Sequence, residues 1–205
     1  ILRKAEAVRN PSLDYAVDFT IHAVSQREKK VERDASYSMI ANGKDRTVIL
    51  MRSPSNLYGS LVLMADQRYW LLLPRALKPW ELSPAQMLAG DIATGDLARS
   101  NLTKGYSATL AGEDALDGEP CWRLELAADN DRASYARIVY WIAKRGFLPR
   151  KLEHYGRAGT LAKVVAYGDY RKGTMGLRSM RLDVQSLDEW KETSTLTFTH
   201  LRKVD

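Results

Sequence analysis

A chain of 205 residues is long enough to bury a substantial core without metal staples, and its single cysteine, Cys121, excludes an internal disulfide. Its 31 basic and 25 acidic residues leave a net charge of +6, yet they interleave along the chain. Without a run of about five like charges, this pattern reads as a solvated surface and argues against a clustered nucleic-acid footprint. No stretch approaches the roughly 18 consecutive apolar residues of a membrane-spanning helix.

Leu2 to Asn10 places Leu2, Ala5 and Val8 at helical spacing and stops at Pro11, which predicts an N-terminal helix. From Tyr15 the period becomes two. Tyr15, Val17, Phe19, Ile21 and Ala23 share one face, with Asp14, Asp18, Thr20 and His22 on the other. Further strands are expected over Val31 to Met39, Arg46 to Arg52, Leu57 to Met64 and Tyr69 to Leu73, separated by Asn-, Gly- and Pro-bearing turns. The strands at Leu57 and Tyr69 are apolar on both faces, so a cover for the second face is expected.

The stretch from Arg68 to Leu102 interrupts this rhythm. Pro74 ends its strand by removing a donor and fixing φ. Ser83 can cap a helix, Pro84 suits its first position and Gly90 can supply its stop, which predicts a helix from Ser83 to Ala89. A second short helix is expected from Asp96 to Asn101. Together these make a helical lid over about residues 75–102.

Strands resume at Tyr106 to Gly112, Cys121 to Ala127, Ser134 to Ala143, Leu148 to Tyr155, Leu161 to Tyr170, Leu177 to Leu187 and Thr193 to Leu201. About eleven strands without a βαβ crossover predict a mainly β fold, an antiparallel sheet that curls into an unclosed barrel. The absence of a Pro- or Ser-rich linker makes residues 1–205 one domain in this reading.

Chemistry is sparsely written. The three histidines, His22, His154 and His200, fall on three different strands and lack metal-ligand spacing. Nucleophile-elbow, dinucleotide and phosphate-loop motifs are absent. Gly90 to Asp96 lacks the distal glutamate of a calcium loop. The acid pairs Glu113–Asp114 and Asp188–Glu189 sit where solvated turns are expected. Cys121, beside Trp122 in a strand pattern, reads as a buried apolar thiol. No catalytic residue, metal or cofactor is therefore expected.

The remaining signal is apolar: Leu61, Leu63, Trp70, Leu72, Leu77, Trp80, Leu82, Met87, Leu88, Ile92 and Leu97 gather in and before the insert. They suit either a core plug or a lid over a ligand cavity, where Met and Leu adapt to flexible apolar partners.

Three segments resemble the outer-membrane lipoprotein-sorting protein family, which is similar to the lipoprotein localisation carriers LolA and LolB. The first is Leu57-Tyr58-Gly59-Ser60-Leu61-Val62-Leu63 with Tyr69-Trp70-Leu71-Leu72-Leu73-Pro74 and Ser83. The second is Gly112-Glu113-Asp114-Ala115-Leu116-Asp117-Gly118-Glu119-Pro120-Cys121-Trp122, and the third runs from Tyr140 to Lys151 through Leu148-Pro149-Arg150-Lys151. The resemblance extends from about Leu13 to the end of the chain. It implies an unclosed barrel under a helical lid, whose concave face binds acyl chains or another lipophilic ligand.

The resemblance also implies a non-enzymatic periplasmic carrier. Its signal peptide would have been removed ahead of Ile1, and an inner-membrane exporter or an outer-membrane acceptor would be its partner. Many members resemble accessory proteins to export machinery of the resistance-nodulation-division type. One departure stands out: relatives often carry Phe-Ser/Thr-x-x-Asp-Leu in the lid, where this chain has Ile92-Ala93-Thr94-Gly95-Asp96-Leu97. Ligand identity therefore does not transfer. The rival expectation is a periplasmic sensor or adaptor that binds a transporter or regulatory protein through the hydrophobic insert.

Overall fold

A computed structural model describes every residue except 26–29, 66–67, 83–86, 90–91, 94–101, 131–132, 188–191 and 205, and only the backbone of 87–89 and 92–93. The expected N-terminal helix is α1, Leu2–Arg9. Six strands follow: β1 (Tyr15–Ser25), β2 (Val31–Ala41), β3 (Arg46–Ser53), β4 (Leu61–Ala65), β5 (Arg68–Leu72) and β6 (Trp80–Leu82). After a small pair, β7 (Met87–Ala89) and β8 (Ile92–Ala93), come β9 (Tyr106–Leu116), β10 (Glu119–Ala128) and β11 (Arg137–Ala143). The last four are β12 (Pro149–Tyr155), β13 (Leu161–Gly173), β14 (Gly176–Ser186) and β15 (Thr193–Lys203).

Thirteen of these strands form one antiparallel sheet in the order β6-β5-β4-β3-β2-β1-β15-β14-β13-β12-β11-β10-β9, which does not close into a barrel. Two meanders are joined by pairing of the first and last strands, β1 with β15, from Tyr15↔Lys203 to Val24↔Thr193. The free edges, β6 and β9, are therefore both mid-chain. The chain between Leu82 and Tyr106 joins one edge of the sheet to the other, which is why the rhythm breaks there. Register shifts near Ala16 in β1 and near Gly112 in β9 add twist, and Gly112 adopts φ +142°, a conformation that suits glycine.

Alternation sorts the side chains onto two faces. The inner face carries the main core, with Val17, Phe19, Ile21, Tyr37, Ile49, Leu126, Tyr140, Leu152 and Leu196 all buried. Direct cross-strand partners continue one inner row without a break, Val17–Met39–Ile49–Val62–Leu71–Trp80, from β1 to the β6 edge. α1 lies against β12 and β14 and buries Ala5 and Glu6 in the same core.

Three expectations change. Leu57 belongs to a 3-10 turn, Ser55–Leu57, and the strand starts only at Leu61. Gly59, at φ +83°, turns the chain there, and its N–H donates to the Met51 carbonyl. The helix expected from Ser83 to Ala89 is extended where it is described, since Met87↔Ala93 and Ala89↔Ile92 pair as strands. Gly90, expected as the helix stop, lies outside the described residues. The rest of the first lid helix, and the whole of the second from Asp96 to Asn101, lie outside the described residues. The third change concerns the outer face of β4 and β5, expected to be covered: Leu63 is 39% exposed and Leu72 is 36% exposed.

Candidate functional site

α1 reaches the inner face through a polar anchor. The Glu6 carboxylate accepts hydrogen bonds from Arg9 Nε and Nη2 at 2.9 Å each and from Asn10 Nδ2 at 3.3 Å. It also accepts the backbone N–H of Leu102 at 3.1 Å. The Glu6–Arg9 pair is an i, i+3 helix pair in sequence, and here it is buried and two-bonded. Leu102 is buried in the inner core. One carboxylate thus ties the helix, its own C-terminal turn and the end of the mid-chain connection to one point.

Next to this anchor, between the C-terminal half of α1 and the inner face of β13, β14, β15, β1 and β2, is a cavity of about 100 Å³. Val17, Met39, Tyr167, Met175, Met180, Leu182 and Phe198 form its apolar walls, and Arg9, Tyr170 and Arg178 supply polar groups. Three of the six methionines in the chain face this one space. Unbranched, polarisable thioethers beside aromatic rings make walls that adapt to a flexible guest. Burial pushes the phenols of Tyr140 and Tyr170 upward, and that of Tyr37 up to about 12, so all three stay neutral across the physiological range. A second, shallower groove of about 420 Å³ lies between Ile1 and Leu2 of the α1 start and Tyr106, Ala108 and Leu110 of the β9 edge.

The structure divides the apolar residues singled out from the sequence. Trp80 and Leu82 are on the inner face: Trp80 opposes Leu71, and Leu82 packs with Met64 and Tyr69. Leu61, Leu63, Trp70 and Leu72 are on the outer face, as direct cross-strand partners Leu61↔Leu72 and Leu63↔Trp70. Ile40, 57% exposed, and Val48 extend this outer patch onto β2 and β3. Leu77 is 99% exposed in the connection between β5 and β6. Met87, Leu88 and Ile92 are on the small hairpin, their side chains outside the described residues, as is all of Leu97. The cavity residues Met39, Tyr167, Met175, Met180 and Phe198 carry no local sequence signal. Only the register of distant strands brings them together.

The histidines are separate, as the sequence indicates. His22 and His200 lie on the outer face against Asp34 and Asp18, at 2.8 and 3.3 Å, while His154 is buried beside the Tyr135 ring at 4.5 Å between centroids. Cys121 is buried, and burial raises its thiol pKa, the opposite of what a reactive cysteine needs. Among the described residues no three His, Cys, Asp or Glu side chains converge on a common point, and no helix is long and apolar enough to cross a membrane.

A model for a family described as "Uncharacterized protein" matches residues 43–204. No curated protein matches the sequence. Among solved structures, a LolA superfamily protein from Nitrosomonas europaea is similar with TM-score 0.91 and 26% identity, over 100% of this chain and 92% of that one. A DUF1329 family protein from Desulfovibrio piger follows, with TM-score 0.86 and 18% identity, over 98% and 90%. A protein domain from Vibrio parahaemolyticus, described as outer-membrane lipoprotein-sorting, has TM-score 0.80 and 16% identity, over 98% and 89%. The unclosed antiparallel sheet with its N-terminal helix and these matches agree: the chain belongs to the family whose model spans residues 43–204, and its fold is LolA-like.

Proposed function

We propose that this chain is a periplasmic carrier or binding protein that holds a lipophilic ligand, such as the acyl chains of a lipidated protein, on the inner face of its sheet and performs no chemistry on it. Residues 1–205 act as one domain, with the connection across the two sheet edges as its lid. The observation behind the reading is the methionine- and aromatic-lined cavity under α1, continuous with the apolar inner row that ends at Trp80. Burial is worth about 0.8 kcal/mol per methylene, so ten methylenes would gain about 8 kcal/mol before the cost of ordering, enough for retention without a covalent bond. Native mass spectrometry of protein purified from the periplasm of a double-membrane bacterium tests this. Co-purified lipid is expected, and Trp80→Asp, a substitution at a 60% exposed position, should release it. An empty chain that also takes up no fluorescent acyl probe would reject the carrier.

A second reading has its own observation. The outer apolar patch of Ile40, Val48, Leu63 and Leu72 stands apart from the cavity and suits a protein surface, as in an adaptor for a transporter or a regulator. Leu63→Lys should then abolish pull-down of that partner while lipid retention is unchanged.

A further inference from the structure

We propose that the β9 edge is a dimer interface: two copies of this chain pair antiparallel through Tyr106–Leu110, about a two-fold axis at Ala108, and so join their sheets. The two free edges of the sheet are unlike. β6 offers three residues, Trp80–Leu82, whereas β9 offers eleven, Tyr106–Leu116. Natural edges are kept short or guarded by lysine or proline, and Tyr106-Ser107-Ala108-Thr109-Leu110 has neither guard. Among the described residues, β9 pairs with β10 alone. The Gly105 carbonyl accepts the Asp129 N–H at 2.9 Å, which sets the alternation of that ladder. Ser107 and Thr109 therefore bond to β10, while Ala108 and Leu110 turn their N–H and C=O groups to the open side. The side chains at this edge are open too. Tyr106, Ala108 and Leu110 line the groove of about 420 Å³ with Ile1, Leu2 and Leu124, and Leu110 is 50% exposed. The inner apolar layer thus reaches the β9 edge and stops there uncovered.

The occupant is a second copy because the segment is its own complement. With Ala108 opposite Ala108 on the axis, Tyr106 opposes Leu110 on the inner face and Ser107 opposes Thr109 on the outer face, each pair occurring twice. Aromatic–aliphatic and hydroxyl pairs are both favourable cross-strand partners. Charge agrees with the same register: exposed Lys104, ahead of the segment, comes alongside the partner's Glu113, beyond it. The two grooves then meet across the axis, and each exposed Leu110 gains an apolar neighbour. Between the pairs Leu124↔Leu110 and Arg123↔Gly112 the extra residue Ala111 forms a bulge, which ends the straight segment and fixes the register. The same patch serves on both copies, so the assembly closes at two.

Sedimentation equilibrium of the full chain over a hundredfold range of concentration tests the proposal. A strand edge with one apolar row makes a small interface, below roughly 1,200 Å² in total, so a reversible dimer with a Kd of about 10–100 μM is expected. Ala108→Pro should leave a monomer with unchanged thermal melting, because proline is tolerated where the N–H faces away from the ladder. Ala108→Cys should give a disulfide-linked dimer on mild oxidation, since hydrogen-bonded partners across an antiparallel pair have Cα atoms about 5.5 Å apart, within disulfide reach. The natural thiol, Cys121, is buried and does not compete. A natural chain that stays monomeric up to about tenfold above that Kd overturns the proposal, as does a dimer that Ala108→Pro leaves intact. Cross-linking of Ala108→Cys to a different protein, and never to itself, gives the edge to another strand and overturns it as well. If Ala108→Pro does not fold, Leu110→Lys, at an exposed position, carries the same expectation of a monomer.

Discussion

Two regions of the outer face start from the same kind of sequence and end differently. In both β4 and β11 (after Arg137) the strand is apolar on its outer as well as its inner side. In β10–β12 the outer residues Cys121, Val139, Trp141 and Ala143 are buried. Their cover is built from long polar side chains of neighbouring strands. Lys151 Nζ lies 4.8 Å from the Trp141 ring centre, Arg137 stacks 3.6 Å over Tyr155, and Asp114 accepts the Trp141 Nε1–H at 3.0 Å. Glu153 accepts from both Lys151 Nζ at 2.7 Å and the Tyr155 hydroxyl at 2.8 Å, which pins the cover down. In β3–β5 the comparable device is Arg68, paired with Glu81 and 5.0 Å from Trp70. It leaves Val48, Leu63 and Leu72 open. A second apolar face is sealed when its neighbours bear long stems that can lie across it; where they are Ser36, Ser38 and Ile40, it stays exposed.

The sharpest break in this comparison is Trp141→Ala, which should cost about 3–5 kcal/mol in urea denaturation, as large aromatic truncations in packed cores do. If it costs no more than truncation of Leu63, the sealed region is not a core. Lys151→Ala should come next, at about 1 kcal/mol from the lost cation–π contact and the uncovered ring, together with a rise in Trp fluorescence quenching by iodide. Unchanged quenching would mean that Lys151 covers nothing.

A pH effect separates the regions further. The Trp141 N–H and the Ala115 backbone N–H hold the Asp114 carboxyl below its ordinary value of 3.8. A depressed carboxyl contributes stability that is fully present above the unfolded value and is lost as the pH falls through the folded one. The natural chain should therefore lose stability below about pH 4 more steeply than Asp114→Asn, a comparison made by acid titration of the urea midpoint. Parallel curves would remove the hydrogen bond from the account. The smallest effect belongs to the open patch: Leu63→Ala should change stability by less than about 1 kcal/mol, since a half-exposed side chain leaves no closed cavity behind.

Much of the fold was legible because strand alternation is local. Tyr15 to Ala23, Cys121 to Ala127 and Thr193 to Leu201 announce one inward face each, and the structure pairs them accordingly. Pro11 and the spacing of Leu2, Ala5 and Val8 announced α1. The start of β4 was misjudged because Leu57 and Tyr58 look like strand residues until Gly59 turns the chain. The helix expected from Ser83 to Ala89 rested on punctuation at Ser83-Pro84 and Gly90, outside the described residues, while Met87–Ala89 pairs as a strand. The candidate site was less legible. The list built around the insert mixed inner residues, Trp80 and Leu82, with outer ones, Leu61, Leu63, Trp70 and Leu72.

What the sequence by itself determined is the class of the molecule: a curled antiparallel sheet with one interrupting connection. These follow from side-chain period and turn chemistry, which act over a few residues. Only the tertiary structure decided that β1 closes on β15, that both free edges are mid-chain, and that Met39, Met175, Met180 and Arg178 share one cavity beneath a helix held by Glu6. Those facts depend on register between strands more than a hundred residues apart in sequence, and register is set by how whole faces pack, not by any local stretch.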